Sequence, residues 1–175
     1  PGASPDDPVK QPRDINEFPD HWRFERTNVP LADAVNAIAI HDLDGDGRLD
    51  LIVGGPPGRI TMLRQVGTLD FDVALRRDVR KLAANPAAFT ITDMSGDGTP
   101  DLLSAIDGEP AIWPVDGFTL GPVTRYPAGA PIVAVVAQDF DGDGIVDMTG
   151  VSPDDAAPVR IWFGRRGADG VAPGP

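Results

Sequence analysis

Apolar residues fall along this chain in short runs, each bounded by glycine and aspartate. Three runs, Val35–His41, Ala88–Thr92 and Ile132–Ala137, stop where an acidic segment begins. Three more, Leu51–Val53, Leu102–Ser104 and Met148–Gly150, start where those segments end. Runs this short, rich in β-branched residues and closed by turn formers, predict strands. Another strand is predicted after each pair, at Arg59–Leu63, Ala111–Trp113 and Arg160–Phe163. A turn and a phenylalanine segment follow the first two of these, at Leu69–Phe71 and Gly117–Thr119. Phe24, in the stretch His21–Arg26, fits the same slot, so that Phe24, Phe71 and Phe118 recur every 47 residues.

The segments between the paired strands are one nine-residue pattern used three times. Oxygen-bearing side chains stand at positions 1, 3, 5 and 9, with glycine at 4 and 6. The first copy offers Asp42, Asp44, Asp46 and Asp50; the second Asp93, Ser95, Asp97 and Asp101; the third Asp139, Asp141, Asp143 and Asp147. Calcium takes six to eight oxygens at about 2.3–2.6 Å in flexible geometry, and alternating oxygens on a tightly curled backbone supply such a shell. Glycine at position 6 permits the curl, because it adopts positive φ at little cost. The position-7 carbonyl of Arg48, Thr99 or Ile145 would add a ligand, and the position-9 carboxylate would close the shell. Two carboxylates about 5 Å apart repel by roughly 3 kcal/mol at an effective dielectric near 20, so a loop without a cation is strained or loose. Solvated Asp-Gly turns would share the composition, but turn chemistry alone does not demand the same four oxygen positions three times. Ser95 is a neutral ligand and makes the second loop the weakest. The expected cofactor is Ca²⁺, up to three ions.

An EF-hand or dockerin is not expected. It needs a bidentate glutamate at position 12 and flanking helices, whereas position 12 is Val53, Ser104 or Gly150 and the flanks read as strands. The expected fold class is all-β, with propeller-type blades in three repeats of about 47 residues, since about four strands per unit at that period mark a blade. The strand–loop–strand pattern from Asp42 to Gly54, repeated from Asp93 and Asp139, resembles the FG-GAP/VCBS repeat of integrin α-subunit propellers and many secreted bacterial proteins. The resemblance covers residues 21–166. It implies calcium held between the first two strands of each blade. It also implies a role in adhesion, recognition or assembly rather than catalysis.

Propellers typically have four to eight blades, so three leave closure open. The third unit shows no last strand after Phe163, and the strand near Phe24 has no unit before it. That strand could close the chain's own ring or complete a neighbouring chain. A homodimer could form a six-bladed ring, a partner chain could add blades, or the chain could be a compact or open three-unit assembly capped by its termini.

Composition narrows the function class. The net charge is −12, which argues against nucleic acid and anionic membrane surfaces as partners. Eleven of the 24 aspartates lie in the three loops, so half of the excess charge would be cancelled by three calcium ions. No apolar run is long enough to span a membrane, and no cysteine is present for disulfide or thiol chemistry. The chain opens on proline, which fits a mature form or a fragment. Sites of the extracellular class saturate near millimolar calcium, so the expected location is extracytoplasmic: periplasmic, cell-surface or secreted.

Residues 1–20 hold five prolines and read as an extended arm or linker, with residues 167–175 as a non-core tail. His41 and His21 read as packing or surface residues, and the four serines lack a nucleophile-elbow context. Trp22, Trp113 and Trp162 are expected to pack between strands; one could instead line a sugar groove. Arg76–Arg77 and Arg165–Arg166 read as solvated turns, or as a grip on an acidic partner. No catalytic residue is expected. The first functional expectation is an interaction or assembly module, possible subunit of a larger complex, with a protein partner or homo-oligomer. A carbohydrate-binding module is the alternative, and a metal-dependent hydrolase the weakest third.

Overall fold

The structure, a computed structural model, describes Arg26, residues 28–56, 58–167 and 170–173. The expected arm, with His21, Trp22 and Phe24, lies outside the described residues. Those described form antiparallel sheets and contain no helix, so none is long and apolar enough to cross a membrane.

The first sheet holds β1 (Ala37–His41), β2 (Asp50–Gly55), β3 (Arg59–Gly67) and β4 (Asp70–Asp78) in chain order. The second holds β5 (Phe89–Thr92), β6 (Asp101–Ile106), β7 (Glu109–Asp116) and β8 (Thr119–Leu120), with β9 (Thr124–Arg125) also paired to β7. The third holds β10 (Ala134–Gln138), β11 (Asp147–Val151) and β12 (Val159–Trp162). Each sheet opens on a strand, an acidic loop and a returning strand.

The registers align the three sheets residue by residue. His41 pairs with Asp50, Thr92 with Asp101 and Gln138 with Asp147. Leu51 faces Leu63 where Leu102 faces Trp113 and Met148 faces Trp162. Successive strand side chains point to opposite faces, so every sheet has two comparable faces. The one carrying Ile38, Ile40, Leu51 and Val53 in the first sheet is here the front. The one carrying Ala37, Ala39, Ile52, Ile60 and Met62 is the back.

Two cores lie between the sheets. The back of the first sheet packs on the front of the second, where Phe89, Leu102 and Trp113 are buried. The back of the second, with Leu103, Ala105 and Ile112, packs on the front of the third, with Val135, Met148 and Trp162. The opening strands β1, β5 and β10 lie in succession along this stack, β1 against β5 and β5 against β10.

Two expectations change. The tail is not merely an extension: Gly164–Gly167 (β13) pairs antiparallel with Gly170–Pro173 (β14). β13 continues from β12 after one intervening residue. β13 and β14 form a two-stranded sheet of their own. The arginine pairs lie within strands rather than in turns, Arg76–Arg77 in β4 and Arg165–Arg166 in β13. Arg77 stacks 4.7 Å over the Trp113 ring and donates to the Leu120 carbonyl at 2.8 Å, joining the first two sheets.

The position of Gly54 tests this packing. A Cβ there would stand 2.4 Å from Phe89 Cζ and 3.1 Å from Leu82 Cδ2. The aligned residues in the other sheets are Ala105 and Val151, so a glycine here is particular to the first sheet. Gly54→Ala should cost about 1–3 kcal/mol by overpacking, measured as a lower urea midpoint with an unchanged m-value.

Candidate metal centres

Each loop is wound around its first aspartate. Asp42 accepts the N–H groups of Gly45 and Gly47 at 2.9 Å and of Asp46 at 3.2 Å. Asp93 accepts from Gly96 at 2.7 Å, Asp97 at 3.2 Å and Gly98 at 2.9 Å. Asp139 accepts from Gly142 at 2.7 Å and Gly144 at 3.0 Å. This requires positive φ at position 4 as well as position 6: Gly45 and Gly47 sit at 73° and 85°, and the other copies match them. The position-5 carboxylates cap the next turn, accepting the N–H groups of Arg48, Thr99 and Ile145.

The position-9 aspartates are buried. Asp50 accepts from the Leu43 N–H with one oxygen and from the Gln65 N–H of β3 with the other, both at 2.9 Å. Asp147 repeats this with Phe140 at 2.8 Å and Gly164 of β13 at 2.7 Å. Asp101 takes both bonds inside its loop, from Met94 at 2.9 Å and Ser95 at 3.0 Å. In that sheet the Val115 N–H donates to the Pro100 carbonyl instead, at 3.0 Å.

Carboxylate oxygens converge in two of the three loops. Asp42, Asp44 and Asp50 bring one oxygen each within 4.8 Å of one another, as do Asp139, Asp141 and Asp143. Such a donor set fits a hard cation. The two clusters use different members: Asp50 joins the first, while Asp147 stands outside the third. Asp93, Asp97 and Asp101 form no cluster of this kind. There Ser95 donates weakly to Asp93 at 3.4 Å, and Thr99 Oγ1 donates to Asp97 at 2.5 Å.

Arginines meet the outer carboxylates. Arg64 of β3 lies 2.7 Å from Asp44 and 3.6 Å from Asp46, and Arg48 pairs with Asp46. Arg165 lies 3.4 Å from Asp141 and 3.5 Å from Asp143. Exposed pairs of this kind contribute little stability, but they offset part of the repulsion in the first and third loops. Arg64 escaped the sequence reading because its contact spans two strands. The arginine within the first loop was the only local sign.

Burial raises the Asp101 pKa above the ordinary carboxylate value; the Met94 and Ser95 N–H groups oppose that shift, and Asp97 and Asp93 add to it. Asp97 is held below the ordinary value, first by the Thr99 hydroxyl and then by the Thr99 N–H.

Two predictions separate fastening from ligation. Asp50→Ala orphans two backbone N–H groups and should cost about 1–3 kcal/mol for each that stays buried, in chelator as well as in calcium, by chemical denaturation. Asp44→Ala should stay within about 0.5 kcal/mol in chelator. A second series concerns Asp101. Because its folded pKa is raised, its stabilising contribution is full at low pH and lost as pH rises through that value. In chelator, the stability of wild type relative to Asp101→Asn should therefore decline with rising pH.

Comparison with protein families matches the FG-GAP-like repeat twice, over residues 42–104 and 93–149. Each stretch begins on the first aspartate of a loop and takes in two loops. A search of curated proteins finds no match. The two stretches together span residues 42–149, more than half of the chain, and with the loops and sheets in the same register the chain belongs to the FG-GAP-like repeat family.

Proposed function

We propose that the chain is a calcium-stabilised protein-interaction or assembly module whose sheets are three propeller-type blades. The observation that carries this reading is the cluster of converging carboxylates between the first two strands of the first and third sheets. Asp42, Asp44 and Asp50 would hold one ion, and Asp139, Asp141 and Asp143 another. Asp46 and Asp143 cap the turn, so they shape the shell whether or not they bind. The second loop, with Ser95, would bind weakest. A cation there would cancel the mutual repulsion of the acids and fix the angle between the strands it joins. The result is a stiff scaffold with a surface for partners. An extracytoplasmic setting supplies the calcium that sites of this type need.

The reading includes no catalysis by the repeat itself. The carbohydrate-binding alternative needs an exposed aromatic platform; Trp113 and Trp162 are buried in the two cores, and the exposed aromatic rings among the described residues are Phe140 and Phe163, the second lying under the Arg165 guanidinium. A ligand at a hundred times its Kd adds about 2.7 kcal/mol per site, roughly 5–10 °C in Tm for a chain of this size. Thermal unfolding should rise by that amount per site in calcium over chelator. Asp44→Ala and Asp141→Ala should each remove one site's share. An unchanged Tm, with no metal by elemental analysis, would overturn the calcium reading.

A further inference from the structure

Arginine stands on two of the three loops, and they are the two whose carboxylates converge. Arg64 of β3 lies 2.7 Å from Asp44 and 3.6 Å from Asp46. Arg165 of β13 lies 3.4 Å from Asp141 and 3.5 Å from Asp143. Each arginine adjoins in sequence the residue whose N–H fastens the ninth aspartate: Gln65 for Asp50, Gly164 for Asp147. The registers set the second sheet apart. Pro114 aligns with Arg64, and Asp116 stands where the third sheet has Arg165. Among the described residues, the acids of the second loop have backbone N–H and hydroxyl partners in place of an ion pair.

Both guanidinium groups sit on the outer acids, at the solvent side of the loop. The Arg64 side chain is 46% exposed and that of Arg165 57%. Arg64 has a second carboxylate at hand, since its register partner on β4 is Asp72. Arg48, by contrast, is tied down by its Nε–H bond to the Gln65 carbonyl at 2.9 Å. Arg165 lies over the Phe163 ring and donates to the Gly164 carbonyl at 2.7 Å. A guanidinium in this place offsets the repulsion among the acids, as a bound cation would. It also puts a like charge beside any cation that the cluster takes up. The same acids therefore serve two cations at the expense of each.

We propose that Arg64 and Arg165 are internal counter-ions that compete with the divalent cation at the first and third loops. They hold the outer acids when calcium is scarce, and they raise the calcium concentration at which each loop fills. Resting on the calcium reading above, the proposal adds what sets the affinity.

Calorimetric titration of the Asp141→Ala chain with calcium reads the first loop with the third removed. Adding Arg64→Gln in that background should tighten binding by roughly three- to tenfold, the effect of removing one positive charge a few ångströms from a divalent ion in a watery dielectric. That gain should shrink at about 1 M salt, where the Debye length is about 3 Å. Arg64→Lys keeps the charge and should bind as Arg64 does. Arg165→Gln should tighten the third loop in the Asp44→Ala background. In chelator, amide exchange at Gly45 and Gly47 should quicken in Arg64→Gln and stay unchanged at Gly96 and Gly98. Unchanged or weaker calcium binding in Arg64→Gln would overturn the proposal and leave the calcium reading standing. A gain that Arg64→Lys shared in full would assign the effect to side-chain shape and overturn competition. Wild type that binds no calcium would overturn both readings.

Discussion

Each acidic loop is tied to its sheet by one buried carboxylate. A charge taken out of water must be matched by donors or it destabilises the fold. Asp50 and Asp147 meet that condition by bridging two backbone N–H groups, one at the second position of their own loop and one on β3 or β13. The bridge sets the loop's place relative to three strands at once, and the outer carboxylates inherit their positions from it. Asp101 keeps both donors inside its loop and leaves the strand bond to a carbonyl. That loop is also the one whose acids do not gather.

The ninth aspartate therefore serves as a fastening of the fold in all three loops. Its oxygens are committed to the fold first. In the first loop one of them still reaches the cluster; in the third, Asp143 stands there instead. The same nonamer thus offers a cation slightly different donor sets.

Packing between sheets depends on side-chain size at matched positions. Gly54 lets the Phe89 ring close on β2, where a Cβ would stand 2.4 Å from Phe89 Cζ. Leu63, Trp113 and Trp162 share another position, and both tryptophans fill cores that the first sheet's leucine does not face. Arg77 spans the first interface with its guanidinium on the Trp113 ring. The stack thus changes along its length while keeping one register.

The sequence by itself determined what is local. Nine residues suffice to place four oxygens, two positive-φ glycines and the flanking strands, so the loops, their strand pairs and the family likeness were legible, with the ends of the paired strands shifted by at most two residues. Tertiary structure decided what depends on residues far apart in the chain. The Gln65 and Gly164 donors, the Arg64 pairing and the Arg77 stack are each separated from their partners by more than a dozen residues. The β13–β14 hairpin was hidden too, because Gly164–Gly167 lacks the apolar alternation that announces a strand. Which faces are covered and which left open emerges only when the sheets are stacked. A strand's two faces read alike in sequence until a neighbouring sheet buries one of them.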